Sequence, residues 1–257
     1  MLSPWVRTRL LPEWTLLSAV LEHHSAASAA KFIDEICWRT YWKGWLERHP
    51  SVWDNYLIEL KSAKSEHANN RLYHAALRAE SGIDCLDLWI QELLDTGYLH
   101  NHARMWFASI WIHTLKLPWT LGAAFFLKHL FDGDPASNTL SWRWVAGLHT
   151  VGKTYLATAE NIEKYTGGRI QTSAHLASEP ITFDNTASNA PLVDLRPLPS
   201  IPQNGRIGLL ISEDDLSARE WISKQLELKS SAGLIPRAAY AQHEISNRVY
   251  QFRASGL

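Results

Sequence analysis

The sequence has 257 residues, 25 Lys+Arg against 26 Asp+Glu, a net charge of −1 and 46% apolar residues. This length suits one large domain or a domain with an appendage, and the apolar fraction excludes a mainly disordered chain. There is no run of about 18 apolar residues for a membrane span, and the opening MLSPWVRTRLLPEW lacks a secretory apolar stretch, so a cytoplasmic protein with no membrane partner is expected.

Cys37 and Cys85 form no disulfide or metal pattern, so both are expected to be buried thiols in a reducing compartment, and no metal is expected. Tryptophan is the anomaly. There are 13, of which all but one lie before residue 145, more than core packing needs. Such indoles suit stacking on flat ligands or electron transfer.

In chain order, residues 13–49 read as a helix, closed by His49-Pro50 because the residue before a proline avoids the helical region. Within it Phe32, Ile36, Arg39 and Lys43 share one side, and Glu35, Trp38, Trp42 and Trp45 another. Residues 59–80 are polar and read as an exposed connection ending in a helix. Cys85–Leu94 carries apolar residues at helical spacing, stopped by Thr96-Gly97. Residues 99–117 resume a helix up to Pro118, and Trp119–Leu130 forms the next. Asp132-Gly133-Asp134-Pro135 is a turn signal. Residues 154–165 read as a short amphipathic helix.

The character changes after residue 170. Residues 171–204 have no period and read as an irregular linker. Ile207–Ser212 looks like a buried strand, Ser217–Leu228 like a helix opened by a serine cap, and Ala232–Ile235 like a second strand. The expectation is a mainly α protein: a helical domain over 1–170, the linker, and a small α/β appendage over 205–257. About 50 residues is thin for an independent core.

Two constellations carry possible chemistry. Gly147-Leu-His-Thr-Val-Gly152-Lys153-Thr154 has the G-x4-G-K-T spacing of a phosphate-binding loop. The residues before it, Ser141-Trp142-Arg143-Trp144, are too bulky and polar for the buried strand that such a loop follows, so a nucleoside triphosphatase is only a remote alternative. The second is a set of ordered blocks: Phe32–Arg48 (FIDEICWRTYWKGWLER), Thr96–Ser109 (TGYLHNHARMWFAS) and Phe131–Trp144 (FDGDPASNTLSWRW). They bring together Arg104, Asp132, Asp134, Asn138 and several indoles. A buried Arg and Asp must pair. Such a pair beside an amide can grip the polar edge of a flat heterocycle while indoles stack or donate electrons. A Trp-rich helical core with one structural ion pair accounts equally well for the same residue types.

In order and spelling the three blocks resemble the flavin-binding domain of the photolyase/cryptochrome family, over about residues 2 to 146. The family patterns are E-x-x-W-R-E-F/Y, T-G-x-x-H-N-R-x-R-M and D-G-D-x-A-x-N-x-x-x-W-x-W. Leu2-Ser3-Pro4-Trp5 looks like the end of the family's phosphate-binding stretch, with the preceding Thr-Ser ligands and the N-terminal antenna domain absent. The resemblance implies a helical FAD-binding domain. Leu2, Ser3, Arg104, Asp132, Gly133, Asp134 and Asn138 would hold FAD, with Asn138 near flavin N5. A neutral amide there tolerates either protonation state of the ring, whereas an acid would disfavour the anionic reduced form. Trp142 would be the nearest electron donor and Trp119 the next. No third tryptophan is assigned, since 59–80 contains none.

The resemblance also implies a lesion pocket formed by Glu35, Trp38, Arg39, Trp42, Asn101, His102, Met105 and Trp144. A pyrimidine dimer would be flipped out of the duplex into it, with Trp38 and Trp144 stacking on the dimer and Glu35 bonded to a pyrimidine edge. Asn101 and Met105 favour the cyclobutane-dimer group. His102 replaces an arginine that touches DNA, and Thr40 an acidic residue. Arg39, Lys43, Arg48, Arg143 and Lys153 are expected to rim the pocket and make DNA binding salt-sensitive. The expected protein is therefore a monomeric, FAD-dependent deoxyribodipyrimidine photo-lyase acting on damaged DNA, in truncated form. A cryptochrome-like photosensor or an inactive relict is the alternative.

Overall fold

The computed structural model describes residues 2–150, 153–183, 191–197, 200, 205–234 and 243–256. Its elements are α1 (Ser3–Arg7), α2 (Glu13–Leu21), α3 (Ala30–Arg48), α4 (Pro50–Glu66), α5 (Arg71–Ala76), α6 (Asp84–Thr96) and α7 (Asn101–Ser109). A π-helical turn (Ile110–Thr114), α8 (Trp119–His129), α9 (Pro135–Val145) and α10 (Ala159–Thr166) follow. The chain then forms β1 (Ile207–Ser212), α11 (Ala218–Ser223), β2 (Leu228–Leu234) and α12 (Asn247–Ala254). The fold is mainly α.

The core is built on α6 to α9. Helix α6 buries Leu86, Ile90 and Leu93 at helical spacing and ends at Gly97, which adopts the left-handed conformation (φ 70°). A Cβ there would lie 3.0 Å from the Phe131 ring, so glycine is required twice over. Helix α8 is apolar nearly all round and buries Leu121, Ala123, Phe125, Phe126 and Leu127, because it lies between α4 and α9. Its Gly122 is the contact point for two indoles. A Cβ at 122 would stand 2.2 Å from Cη2 of Trp142 and 3.0 Å from Nε1 of Trp111. His113 in the π-helical turn accepts from the Ile181 amide at Nδ1 (3.1 Å) and donates from Nε2 to the Val145 carbonyl (3.3 Å), pinning residues after α10 onto the core.

Several sequence expectations need correction. The helix expected over 13–49 is two helices, because Ser25 and Ser28 bond each other's backbone groups (Ser28 N to Ser25 Oγ 3.2 Å, Ser28 Oγ to Ser25 O 2.9 Å) and compete with the helical ladder. In the exposed connection expected over 59–80, residues 59–66 complete α4, whose buried stripe, Val52, Tyr56, Leu60 and Ala63, begins before the polar stretch, and Arg71–Ala76 form α5, towards the end where a helix was expected. Helix α10 starts at Ala159, capped by Thr158, while Ala157 N is held by Ser109 Oγ at 2.8 Å. Cys37 is exposed and only Cys85 buried, since α3 buries none of its residues.

The C-terminal unit is βαβ. β1 and β2 pair in parallel, with a register irregularity between Ile207 and Gly208. β1 is not buried as expected: Leu210 is 70% exposed. Ser217 does not cap α11, as its hydroxyl donates to Asp215 Oδ1 (2.8 Å), and α11 ends at Ser223. β2 begins at Leu228, ahead of the expected start at Ala232; Ile235 lies outside the described residues. The phosphate-loop reading loses its frame, because the residues before Gly147 are the helix α9. Val151 and Gly152 lie outside the described residues.

Candidate functional site

Between α1, α3, α7 and α9 lies a cavity of about 790 Å³, within the size range of cofactor sites. Its floor is the loop after α8. Asp132 is buried, and its Oδ2 accepts from Arg104 Nη2 at 2.8 Å, while Arg104 Nε donates to the Leu99 carbonyl at 2.8 Å. Burial pushes the Asp132 carboxyl up, but the charge and hydrogen bond of Arg104, helped by Arg39, leave it below the usual carboxylate range. Asp134 is also held low: burial is outweighed by Lys43 (Nζ–Oδ2 3.4 Å) and by the Ser137 amide, which donates to Oδ1 at 2.9 Å. Asp134 is thus the N-cap of α9, with Pro135 at the first helical position. Asn138, one turn on, donates its amide to the Ala123 carbonyl at 2.9 Å.

The walls are aromatic. Trp38 and Trp42 stack at 5.4 Å, and Trp144 stacks on Tyr155 at 5.8 Å. Trp142 is buried against Phe126 and Phe107. His149 stands edge-on to Trp42 (4.8 Å) and Trp45 (4.9 Å). Burial, then Arg143 and His49, holds its imidazole below the usual histidine value. Arg39 reaches the floor from α3, its guanidinium pulled down by burial against the opposing charges of Asp134 and Asp132.

Every candidate residue from the sequence lines this cavity except His102 and Trp119. His102 stacks instead between His100 (5.5 Å) and Tyr165 (5.1 Å). Trp119 packs on Tyr56 at 5.5 Å under the Arg143 guanidinium. The expected basic rim is also revised. Arg143 is buried, donates to the Leu148 carbonyl at 3.0 Å and faces away, and Lys43 is drawn onto Asp134. Arg48 and Lys153 do not line the cavity. Sequence reasoning missed Tyr41, Tyr98 and His149. The first two sit in quoted blocks beside assigned residues. His149 was hidden inside the phosphate-loop spelling.

Residues 32–166 match the family model described as the FAD binding domain of DNA photolyase. The chain belongs to this family. Among curated relatives, a deoxyribodipyrimidine photo-lyase of Alkalihalophilus pseudofirmus is 29% identical over 156 residues, covering 60% of this chain and 32% of that protein. One of Neurospora crassa is 33% identical over 119 residues, covering 46% and 19%. Among solved structures, a bacterial class III photolyase from Agrobacterium tumefaciens aligns with a TM-score of 0.55 at 26% identity, over 65% of this chain and 36% of that one. The chain therefore spans about a third or less of the length of the relatives named here.

FAD is the cofactor of this photolyase domain, and the cavity fits it in chemistry. Asp132 Oδ1, Arg39 Nη1 and Trp142 Nε1 are buried without a hydrogen-bond partner within 3.5 Å, an arrangement that a polar ligand would relieve. Among the described residues, no helix is long and apolar enough to cross a membrane and no group of three or more His, Cys, Asp or Glu is placed to hold a metal.

Proposed function

We propose that the chain binds FAD in the cavity between α1, α3, α7 and α9 and serves the light-driven splitting of cyclobutane pyrimidine dimers in DNA. Reduced FAD, when bound, supplies one electron to the dimer under light and receives it back after the ring opens, so no net oxidant is consumed. The supporting observation is the pairing, in one cavity, of an ionic floor with an indole-lined wall: Arg104–Asp132 at 2.8 Å beneath Trp38, Trp42 and Trp144. The names of the relatives point the same way.

In this reading Arg104 and Asp132 orient the flavin edge, Leu2, Ser3 and Gly133 approach the rest of the cofactor, and Asn138 presents a neutral amide to the ring. Asp134 shapes the loop as an N-cap more than it offers a free carboxylate. Glu35, Asn101 and Met105 contact the flipped dimer between Trp38 and Trp144, and Arg39 and Trp42 bridge the two ligands. Trp142, which lines the cavity, would be the first donor for restoring reduced flavin, and Trp119 would act one step further out. Damaged DNA is the partner, and the protein acts as a monomer.

Reconstitution with FAD followed by a repair assay on dimer-containing oligonucleotides tests this. FAD uptake with light-dependent repair is expected, together with binding that weakens as salt rises. Trp144→Ala should weaken lesion binding by about 1–3 kcal/mol while leaving flavin binding intact. Flavin uptake without repair, and equal binding to damaged and undamaged strands, would favour a photosensor. No uptake at high micromolar FAD would end the proposal.

A further inference from the structure

We propose that a buried Arg7–Glu213–Arg253 cluster positions the cofactor loop from behind, making the C-terminal segment part of the FAD site; this rests on the FAD-binding reading above. The Gly133 carbonyl, between the two loop aspartates, accepts two charge-assisted hydrogen bonds: from Arg253 Nη2 at 2.7 Å and Arg7 Nε at 3.2 Å. One carboxylate oxygen, Glu213 Oε1, in turn receives Arg7 Nη2 at 3.1 Å and Arg253 Nη1 at 3.3 Å. The Glu213 carbonyl accepts from Arg7 Nη1 at 3.3 Å, and Asp214 Oδ1 lies 3.1 Å from the same nitrogen. Arg7, Glu213 and Arg253 are 3%, 4% and 2% exposed.

These three residues come from both flanks of the family match at 32–166 and meet at one peptide group. Fixing the direction of the Gly133 carbonyl fixes the peptide plane between Gly133 and Asp134. With it are set the backbone angles that send Asp132 to Arg104 and Asp134 to the Ser137 amide. The ring contacts beside it act in the same direction: Phe252 stacks on Phe131 at 4.6 Å and meets Trp5 at 5.2 Å, and the Arg248 guanidinium lies over Phe131 at 5.2 Å. Burying three charges is expensive in isolation. Here both guanidiniums meet the Glu213 carboxylate and the Gly133 carbonyl, and Arg7 also meets Asp214, so Glu213 aligns two donors on the cofactor loop. These are positioning residues, acting on the flavin through Asp132 and Asp134.

Hydrogen exchange on the FAD-free protein gives a readout that does not depend on flavin. In Arg253→Met the amides of Gly133, Asp134 and residues 136–138 should exchange about tenfold faster, while those of α6 keep their wild-type rates. The FAD dissociation constant should rise about tenfold, with Arg253→Lys intermediate and Glu213→Gln resembling Arg253→Met. If a variant does not fold, exchange of the wild type in sub-denaturing urea decides: residues 133–138 should open in the same step as α12. Unchanged loop exchange and FAD affinity in folded variants, or separate opening of loop and α12, would overturn the proposal. No FAD uptake by the wild type, together with the faster loop exchange in Arg253→Met, would fail the FAD reading and leave the positioning role standing.

Discussion

The helical body and the C-terminal βαβ unit are held by opposite means. In the body, Phe107, Trp111 and Trp142 are each at most 2% exposed, with the Phe107 ring between the two indoles, and Trp89, equally buried, stacks on Trp106. In the βαβ unit, Leu210 is 70%, Leu234 46% and Trp221 42% exposed. A parallel pair of strands is ordinarily covered on both faces, and two strands alone are marginal. The described contacts of this unit with the body are mainly polar: Glu213 to Arg7 and Arg253, Asp215 Oδ2 to Arg9 at 2.7 Å, and the Leu216 amide to the Thr8 carbonyl at 2.9 Å. The body thus gains its stability from packing, and the carboxylate that aligns the two arginines on its cofactor loop, Glu213, comes from a unit that packs little.

The largest effect is expected where the body's rings meet. Trp111→Ala removes an indole that is 0% exposed, and such deletions cost about 3–5 kcal/mol. Since about 2–4 °C is lost for each kcal/mol in a chain of this size, thermal unfolding should shift by roughly 6–20 °C. Gly122→Ala comes next. Its Cβ would stand 2.2 Å from Trp142 Cη2, so the indole must move, at about 1–3 kcal/mol for overpacking. Because Trp142 lines the cavity, near-ultraviolet dichroism should change as well, whereas simple loss of stability would leave the native spectrum alone.

Much of this arrangement was legible in the sequence, and the exceptions have physical causes. Apolar spacing located α6, and Gly97, Pro118 and the Asp132–Pro135 turn bounded α6 and α8, because those signals are local; α9, which starts inside that turn at Pro135, was not legible as a helix. The cavity residues were legible because long blocks spell them in order. Trp119 lies in none of the three blocks and was assigned through the family resemblance alone, as the donor behind Trp142; its place under Arg143 depends on how α8 rotates against α4, which no local pattern encodes. The Arg7–Glu213–Arg253 cluster was invisible for the same reason, as its members are separated by up to 246 positions. The βαβ unit was found by its apolar runs, but apolar runs do not reveal what covers them.

A smaller effect should follow pH. Burial, with Lys128 nearby, lowers His129 to about 4; burial, then Arg253 and Arg7, against the opposing pull of Glu213, lowers His243 to about 4. Unfolded histidine titrates near 6.5. Between about 4 and 6.5 the unfolded chain therefore binds protons that the folded chain does not, so stability rises with pH across that window. It is fully present above about 6.5 and is lost as pH falls towards 4. His129→Gln should flatten the dependence of Tm on pH between 7 and 5, and a slope equal to wild type would show that His129 takes no part.

The smallest effect tests the other side of the comparison. Leu210 lies on β1 opposite Ala232, and 70% of it faces solvent. Little apolar area is then restored to water when Leu210→Ser is made, and surface changes of this kind fall within about 0.5 kcal/mol, less a small loss of strand preference. Tm should move by no more than about 2 °C, and loop exchange at residues 133–138 should stay at wild-type rates, because Glu213 reaches Arg7 and Arg253 from beyond the end of the strand. Paired measurement with Trp111→Ala under one set of conditions makes the contrast quantitative. A shift for Leu210→Ser approaching that of Trp111→Ala would mean that this strand face is covered in solution, and that the unit is held by packing after all.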